Sequence, residues 1–524
     1  MTSQFPPVLI GVAFAALVVA LTAFGRRLPV PPPILQVLAG VAIGLVPGVR
    51  VPELEPELVF FVFLPPILWA AAFFTSWREF KANRRPIGLL AIGLVIATTA
   101  VIAIVARAFF PEMPWAVAVA LGAIVSPPDA VAATAVISRL PVPRRVVIVL
   151  EGESLVNDAS ALVLYRTAVA AAVTGAFSLG ESVVRFFIDA GVGIAIGMAV
   201  GWALIQVARR TQDPLAETLL TFAGPYVAWV GAETLHVSAV LACVAGGLYT
   251  RQSFSTAVAP VSRVQSKAVW DLVIFVLNAL IFVLLGLQAT MIARERPLAE
   301  ILPLVWAGLG LGAVAMIVRL VWVPVATYLP RRFSAEIRRT DPLPPPKSVF
   351  LVAWTSMRGI VSLASALALP LALADGRPFP FREEVLVLTM VVIVMTLLVQ
   401  GLTLSPMITR FAFAPETSHH QEERLARREA IRRASEALEQ ASREPWAHEA
   451  DVQWLRAELR DRLRHHEDGG TRAAGRRRLR HRMQEAERRM LVRLRNEGAI
   501  SDEVMRELET ELDLEAMRLG VQSG

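Results

Sequence analysis

The sequence predicts an all-α polytopic membrane protein of about 13 transmembrane helices, followed by a charged helical tail. Hydrophobic residues make up 55% of the 524 residues and charged residues only 19%, and the mean hydropathy is +0.54. Apolar runs of about 20 residues, the length of a helix that crosses the hydrocarbon core, recur along residues 7–410. These runs are continuous rather than alternating, so helices are favoured over the strands of a β-barrel.

The apolar runs place the predicted spans, each boundary being good to a few residues. The two spans that are hardest to separate have only Glu233 and Thr234 between them. The predicted spans are 7–24, 29–47, 56–75, 86–109, 114–138, 147–173, 182–208, 215–233, 235–250, 267–291, 300–328, 347–373 and 384–410.

The loop charges test this count and predict the orientation. Loops after odd-numbered spans carry roughly 19 Lys and Arg residues, and loops after even-numbered spans carry roughly 7. Because basic loops stay in the cytoplasm, the N-terminus is predicted outside and the C-terminus in the cytoplasm. The net charge of +7 therefore indicates orientation in a bacterial inner membrane rather than nucleic-acid binding.

Thirteen spans can be divided into six, one and six, which would give two six-helix repeats of opposite orientation. Span 5 then corresponds to span 12. Both contain helix-breaking residues near the middle, Ser126-Pro127-Pro128-Asp129 in one and Thr355-Ser356-Met357-Arg358-Gly359 in the other. Interrupted helices at equivalent positions of two repeats indicate a transport site.

The composition changes abruptly after residue 412. The first domain, 1–412, is predicted to be the transmembrane domain, and 413–524 a cytoplasmic helical tail rich in Arg and Glu. Such charged helices are usually solvated structure, although a regulatory or dimer-packing role is an alternative. The single cysteine, Cys243, lies in an apolar run, so an intrachain disulfide and cysteine-based metal centres are excluded.

The stretch Glu151–Ser160 carries the strongest functional signal. A carboxylate inside a membrane helix costs about 2.5–3.5 kcal/mol on insertion scales, so Asp158 and Glu153 need a reason to be there. Ser154 and Asp158 are four residues apart and share a helix face, with Asn157 beside them. Hard oxygen groups of this kind suit a small cation or a proton.

Three further charged residues of the predicted spans are candidates for the site or its support. Asp129 follows Pro127-Pro128 and could either join the site or cap the next half-helix. Arg358 is expected to form a buried ion pair with Glu153, since each alone would be costly in a bilayer. Arg319 could neutralise a site carboxylate or face the cytoplasmic end of its helix. His236, the only histidine of the membrane part, is interpreted as structural.

The sequence gives only weak support to a catalytic function. It contains no Walker-type glycine loop, no His-Glu-x-x-His and no Gly-x-Ser-x-Gly. We therefore expect a secondary transporter that is driven by an ion gradient, has no cofactor and is not an enzyme.

Several motifs together resemble the monovalent cation/proton antiporter-1 family, which includes bacterial NhaP-type antiporters and the eukaryotic Na⁺/H⁺ exchangers. The resemblance covers roughly residues 8–412, and its most specific motif is Gly152-Glu153-Ser154-Leu155-Val156-Asn157-Asp158. The other motifs are Leu64-Pro65-Pro66-Ile67-Leu68, Ser126-Pro127-Pro128-Asp129-Ala130-Val131, Leu235-His236-Val237-Ser238 and Met357-Arg358-Gly359.

The resemblance implies roles for individual residues. Asp158 would carry the transported cation or a proton, and Ser154 would be a second cation ligand. Asp129 would lie where two unwound helices cross. The supporting network would consist of Asn157, Glu153, Arg358 and Arg319.

The resemblance also implies electroneutral exchange, because Asn157-Asp158 stands where electrogenic relatives have Asp-Asp. It further implies a homodimer. The chain departs from the family at two positions: Pro128 replaces a threonine, and Trp69-Ala70-Ala71-Ala72 lacks an acidic residue. Both departures bear on ion selectivity.

The predicted function is exchange of Na⁺, or of K⁺ or Li⁺, for H⁺ across the plasma membrane by alternating access. Its roles would be in intracellular pH and in Na⁺ and K⁺ homeostasis. Two alternatives remain open at this point: a cation channel, which would conduct current, and a membrane sensor that signals through the tail.

Overall fold

The computed structural model describes residues 32–46, 56–137, 140–175, 179–211, 213–373, 375–413, 417–467, 471–497, 499–501, 504–505, 508 and 511–512. The chain divides into two compact units, Met1–Pro415 and Glu416–Gly524. Each unit is described by itself below.

The first unit is built from helices that follow one another with short turns. Those up to the middle of the unit are α1 (Pro32–Gly44), α2 (Pro56–Phe74), α3 (Trp77–Ala82), α4 (Arg84–Phe109), α5 (Trp115–Val125), α6 (Ala130–Ile137), α7 (Arg144–Thr174) and α8 (Leu179–Thr211). The remaining helices are α9 (Pro214–Thr234), α10 (Ala239–Ala257), α11 (Pro260–Glu295), α12 (Leu298–Phe333), α13 (Ala335–Thr340), α14 (Pro346–Trp354), α15 (Ile360–Leu367) and α16 (Arg382–Phe411).

The helices coincide with the predicted spans wherever the two can be compared, although several bounds differ by more than three residues. The first predicted span, 7–24, lies outside the described residues, and each later one falls on a helix or on a pair of helices. Five helices in the described part are long and apolar enough to cross a membrane: Arg84–Phe109, Phe187–Thr211, Pro260–Arg294, Leu298–Phe333 and Arg382–Phe411. The count of 13 and the inverted repeat stay predictions.

The turn between α9 and α10 corrects one predicted boundary. Span 235–250 was expected to begin directly after Thr234, but Leu235, His236 and Val237 form a turn in which His236 has φ 54°. Ser238 then caps α10, since its hydroxyl accepts from Leu241 N at 3.3 Å. These turn residues are largely apolar, so hydropathy alone counted them as helix.

An arginine cluster fixes the ends of three helices of the first unit. The carboxylate of Asp341 binds Arg85 on α4, Arg145 on α7 and Arg331 on α12, the last at 2.6 Å. Desolvation opposes ionisation of Asp341, but its hydrogen bonds and charge attraction to Arg145 and Arg331 outweigh this effect and lower its pKa. Asp341, directly after α13, thus anchors the beginning of α7, the helix that carries the predicted site.

The second unit is helical and highly charged in its described residues. Its described helices are α17 (Thr417–Ala441), α18 (Glu449–Glu467) and α19 (Thr471–Asn496). Arg456 of α18 binds both carboxylate oxygens of Glu439 on α17, at 2.8 and 2.7 Å. The predicted break at Gly469-Gly470 lies outside the described residues.

Candidate cation-binding site

Two interrupted helices cross in the interior of the first unit. The first break, between α5 and α6, covers residues 126–129. The second break, between α14 and α15, covers residues 355–359. They are joined directly, because Asp129 N donates a hydrogen bond to Met357 O at 2.6 Å. Pro127 and Pro128 have no N–H to continue α5, and this is why the helix ends at Val125. In the described residues the two breaks therefore lie against each other, which is the arrangement that the resemblance led us to expect.

Gly359 allows the two breaks to approach each other. A Cβ atom at this position would lie 1.7 Å from Oδ2 of Asp129, which is far inside van der Waals contact. Only a glycine at position 359, directly before α15, lets the Asp129 carboxylate lie this close to the backbone. The same carboxylate immediately precedes α6, so one negative charge is close to the positive ends of two half-helices.

Arg358 supplies the opposite charge at the crossing. Its side chain is 1% exposed, and its Nε donates to the carbonyl of Val125, the last residue of α5, at 2.9 Å. Another guanidinium nitrogen donates to the carbonyl and the hydroxyl of Ser356. Arg358 thus satisfies carbonyls that the broken helices leave free and compensates the negative end of α5.

Helix α16 contributes two residues that sequence reasoning missed. Ser356 N donates to Oε1 of Gln400 at 3.1 Å, and Arg358 N donates to Oγ1 of Thr396 at 3.1 Å. Both α16 side chains are at most 1% exposed. A signal for them was present in the sequence, since two polar residues four positions apart in the apolar run 384–410 share one helix face.

A cavity of about 450 Å³ borders the crossing and is lined by the main predicted site residues. Asp158 and Ser154 from α7 line it, as do Asp129 and Pro128 from the first break. The carboxylates of Asp158 and Asp129 line the same cavity, so two negative charges there would repel each other. Asn157 does not line the cavity but supports it, because its Nδ2 donates to Pro128 O at 3.3 Å.

The exposure of α7 side chains indicates the direction from which the cavity is reached. Glu151 is exposed, Ser154 is partly buried, and Asp158 is only 8% exposed. Beyond Asp158 the helix is packed, with Leu162 and Tyr165 both buried. In this conformation Asp158 is therefore accessible from the N-terminal end of α7.

Glu153 has a different partner from the one the sequence suggested. It forms a two-point ion pair with Arg319 of α12, with Nη2 to Oε2 at 2.7 Å, and both side chains are 1% exposed. The predicted pair of Glu153 with Arg358 is therefore wrong, because the three-dimensional packing brings α12 to this face of α7. Arg319 also donates to Val352 O of α14 at 3.1 Å. Of its two predicted roles, neutralising a carboxylate is the observed one.

The departure from the family motif at Trp69-Ala70-Ala71-Ala72 has a structural explanation. Trp69 is 1% exposed and packs against Gly246, so it fills the space between α2 and α10. The neighbouring Ala70 and Ala71 line the cavity without adding charge. The cavity consequently relies on the carboxylates of α7 and of the first break, with an additional exposed carboxylate, Asp271 of α11, on its lining.

Comparison with known proteins gives a match over most of the chain. Residues 13–410 match the family model described as "Sodium/hydrogen exchanger, transmembrane". A protein of Mycobacterium tuberculosis (strain H37Rv) named as an uncharacterized Na⁺/H⁺ exchanger is 35% identical, covering 97% of this chain and 95% of its own.

Two other relatives have more specific names. A sodium, potassium, lithium and rubidium/H⁺ antiporter of Bacillus pumilus is 33% identical over 82% of this chain and 66% of its own. The low-affinity Na⁺/H⁺ antiporter NhaS1 of Synechocystis is 30% identical over 79% of this chain and 76% of its own.

Solved structures agree at the level of the fold. The sodium proton antiporter MjNhaP1 from Methanocaldococcus jannaschii at pH 8 is 18% identical and covers 76% of this chain and 99% of its own, with a TM-score of 0.56. Its electron-microscopy map gives a TM-score of 0.59. With its apolar helices this chain is a membrane protein. By sequence and by fold, it belongs to the transmembrane sodium/hydrogen exchanger family.

Proposed function

We propose that this protein exchanges a monovalent cation, Na⁺ first of all, for H⁺ across the plasma membrane, and that Asp158 carries the two in turn. The observation that carries the proposal is the buried carboxylate of Asp158 on a cavity beside two crossed helix breaks. A carboxylate there can hold a proton or a cation but not both, so the two compete for one site. Relatives named as Na⁺/H⁺ antiporters support the same chemistry.

The supporting residues have separate roles in this proposal. Asp129 and Ser154 add oxygen ligands, and Asn157 holds the first break against α7. Arg358 stabilises the crossing, while the Glu153–Arg319 pair joins α7 to α12. Asn157 is uncharged, so a single carboxylate of α7 alternates at the centre, which supports electroneutral one-for-one exchange.

The one-sided access to Asp158 supports alternating access. By the loop charges, the accessible N-terminal end of α7 lies on the cytoplasmic side, and the conformation described here would be inward-open. The opposite state requires the packed part of α7 beyond Asp158 to open towards the outside. We further propose that the protein works as a homodimer with its tail, 413–524, in the cytoplasm.

The test is cation-driven proton movement in sealed proteoliposomes that contain a pH-sensitive dye. Adding Na⁺, K⁺ or Li⁺ to the wild type is expected to move protons in the opposite direction, and an imposed membrane potential is expected to leave the rate unchanged. A steady current would favour the channel alternative. If none of the three ions moves protons at acidic, neutral or alkaline pH, the transport proposal fails and the membrane-sensor hypothesis remains. In that hypothesis, deleting residues 413–524 abolishes the signal.

Replacing Gly359 by alanine is expected to reduce exchange by about 10- to 100-fold, because a displacement of about 1 Å at a reacting centre can have an effect of that size. The new methyl group would occupy the position of the Asp129 carboxylate and push the two breaks apart. The matched control is Gly88→Ala, where a Cβ atom meets nothing within 4 Å. Equal exchange rates for both variants would show that the close approach is irrelevant to transport.

A further inference from the structure

Ser362 of α15 is a buried hydroxyl that the supporting network described above does not use. Its side chain is 1% exposed, and it lines the same cavity as Asp158 and Asp129. Among the described residues its Oγ has no hydrogen-bond partner. Buried hydroxyls are nearly always paired, because a lost partner destabilises the fold, so an unpaired one on a cavity wall calls for a ligand.

The position of Ser362 relates it to the crossing. It is the third residue of α15, and Gly359, just before this helix, touches the carboxylate of Asp129. Ser154 and Asp158 reach the cavity from α7, Asp129 from the first break, and Ser362 from the half-helix after the second break. The oxygen atoms on the cavity therefore come from both broken helices as well as from α7.

We propose that Ser362 Oγ is a ligand of the transported cation, completing a set of oxygen donors with Asp158, Asp129 and Ser154. This inference rests on the proposed function. A hydroxyl oxygen is a hard, neutral donor that suits Na⁺ or Li⁺, and binding of the ion would supply the missing partner of the buried group. Because the ligand is neutral, it strengthens cation binding and leaves the charge of the site unchanged.

A ligand and a packing residue differ in their kinetic effects. Without the hydroxyl, the cation binds more weakly. The proton binds to the carboxylate of Asp158 itself, so its affinity does not depend on the hydroxyl. Competition for one site then requires more cation at a given pH, or a higher pH at a given cation concentration. We expect the KM to rise while the maximal rate is kept, and the size of the change to differ among Na⁺, Li⁺ and K⁺.

The experiment measures KM and maximal rate for the three ions in proteoliposomes of the full-length protein. Ser362→Ala is expected to raise the KM for the preferred ion by about tenfold, the loss typical of one interaction with a charged group. Ser362→Thr keeps the oxygen and should stay within about threefold of the wild type. Ser362→Cys keeps the volume but offers a soft sulfur, so it should behave like the alanine variant.

The matched control is Ser365→Ala. Ser365 is on the same helix and 2% exposed, but it lies outside the set of residues that lines the cavity, so its KM should match the wild type. A second measurement, thermal stabilisation of the purified protein by added Na⁺, should be weaker in Ser362→Cys than in Ser365→Ala.

The results separate this inference from the proposed function. An unchanged KM in both Ser362→Ala and Ser362→Cys overturns the inference while exchange by the wild type stands. A lower maximal rate with an unchanged KM for every ion also overturns it, since that pattern indicates packing. If the wild type moves no protons and no added cation stabilises it, the proposed function itself fails.

Discussion

Asp158→Asn is expected to reduce cation-driven proton movement to the leak rate of empty liposomes. The two side chains have nearly the same size and shape, so the buried site at the crossing should keep its packing. An amide, however, does not take up a proton in this range and carries no charge to attract a cation. Both halves of the exchange are lost together, and the measurement is the dye signal after addition of the preferred ion.

The control for this prediction is Asp271→Asn. Asp271 lies on the same cavity but is exposed and already binds Lys267 at 2.8 Å, so its loss should change the rate only modestly. Both variants must reach the membrane in similar amounts and elute as single species in detergent. If Asp158→Asn still exchanges at the wild-type rate, Asp158 is structural and Asp129 becomes the residue to test.

Breaking the buried Glu153–Arg319 pair is expected to have the largest effect on stability. Removal of one partner from a buried pair costs about 3–5 kcal/mol, because the other charge is left without compensation in a dry interior. Glu153→Gln and Arg319→Gln should each lower the thermal unfolding midpoint strongly. The double variant removes both charges of the pair together and should be more stable than either single variant, as a double-mutant cycle would reveal.

Arg166 and Glu233 form the matched exposed pair. They join α7 and α9 at 2.6 Å, but their side chains are 50% and 41% exposed. Removing an exposed pair typically costs about 0.2–1 kcal/mol, so Arg166→Gln should hardly move the unfolding midpoint. Additive effects in the Glu153 and Arg319 cycle, with no coupling between the two residues, would contradict the ion pair seen here.

The candidate site motif of α7 could be recognised in the sequence because its residues are close together along one helix. Ser154, Asn157 and Asp158 fall within two helical turns. A carboxylate in an apolar run is easily recognised, because its insertion into the membrane costs free energy. The helix breaks were equally readable, since proline lacks the N–H that a helix needs. Features of this kind depend on residues only a few positions apart, so the sequence alone reveals them.

Partners distant in sequence were decided only by the tertiary structure. Glu153 and Arg319 are separated by 166 positions. The sequence offered two buried arginines for one carboxylate, and only the packing of α12 and α14 against α7 selects between them. That Ser362 has no hydrogen-bond partner in the described part of the chain was unpredictable for the same reason, because a serine in an apolar helix has many possible acceptors.

The sequence by itself therefore determined the membrane class, the helix breaks and the residues of the α7 motif. Hydropathy, proline geometry and the cost of buried charge each act on single residues or adjacent turns. The tertiary structure decided which charges pair, how Asp129 lies against Gly359, and which oxygens share one cavity. Those outcomes depend on distances between segments far apart in the chain, and such distances arise only when the helices pack.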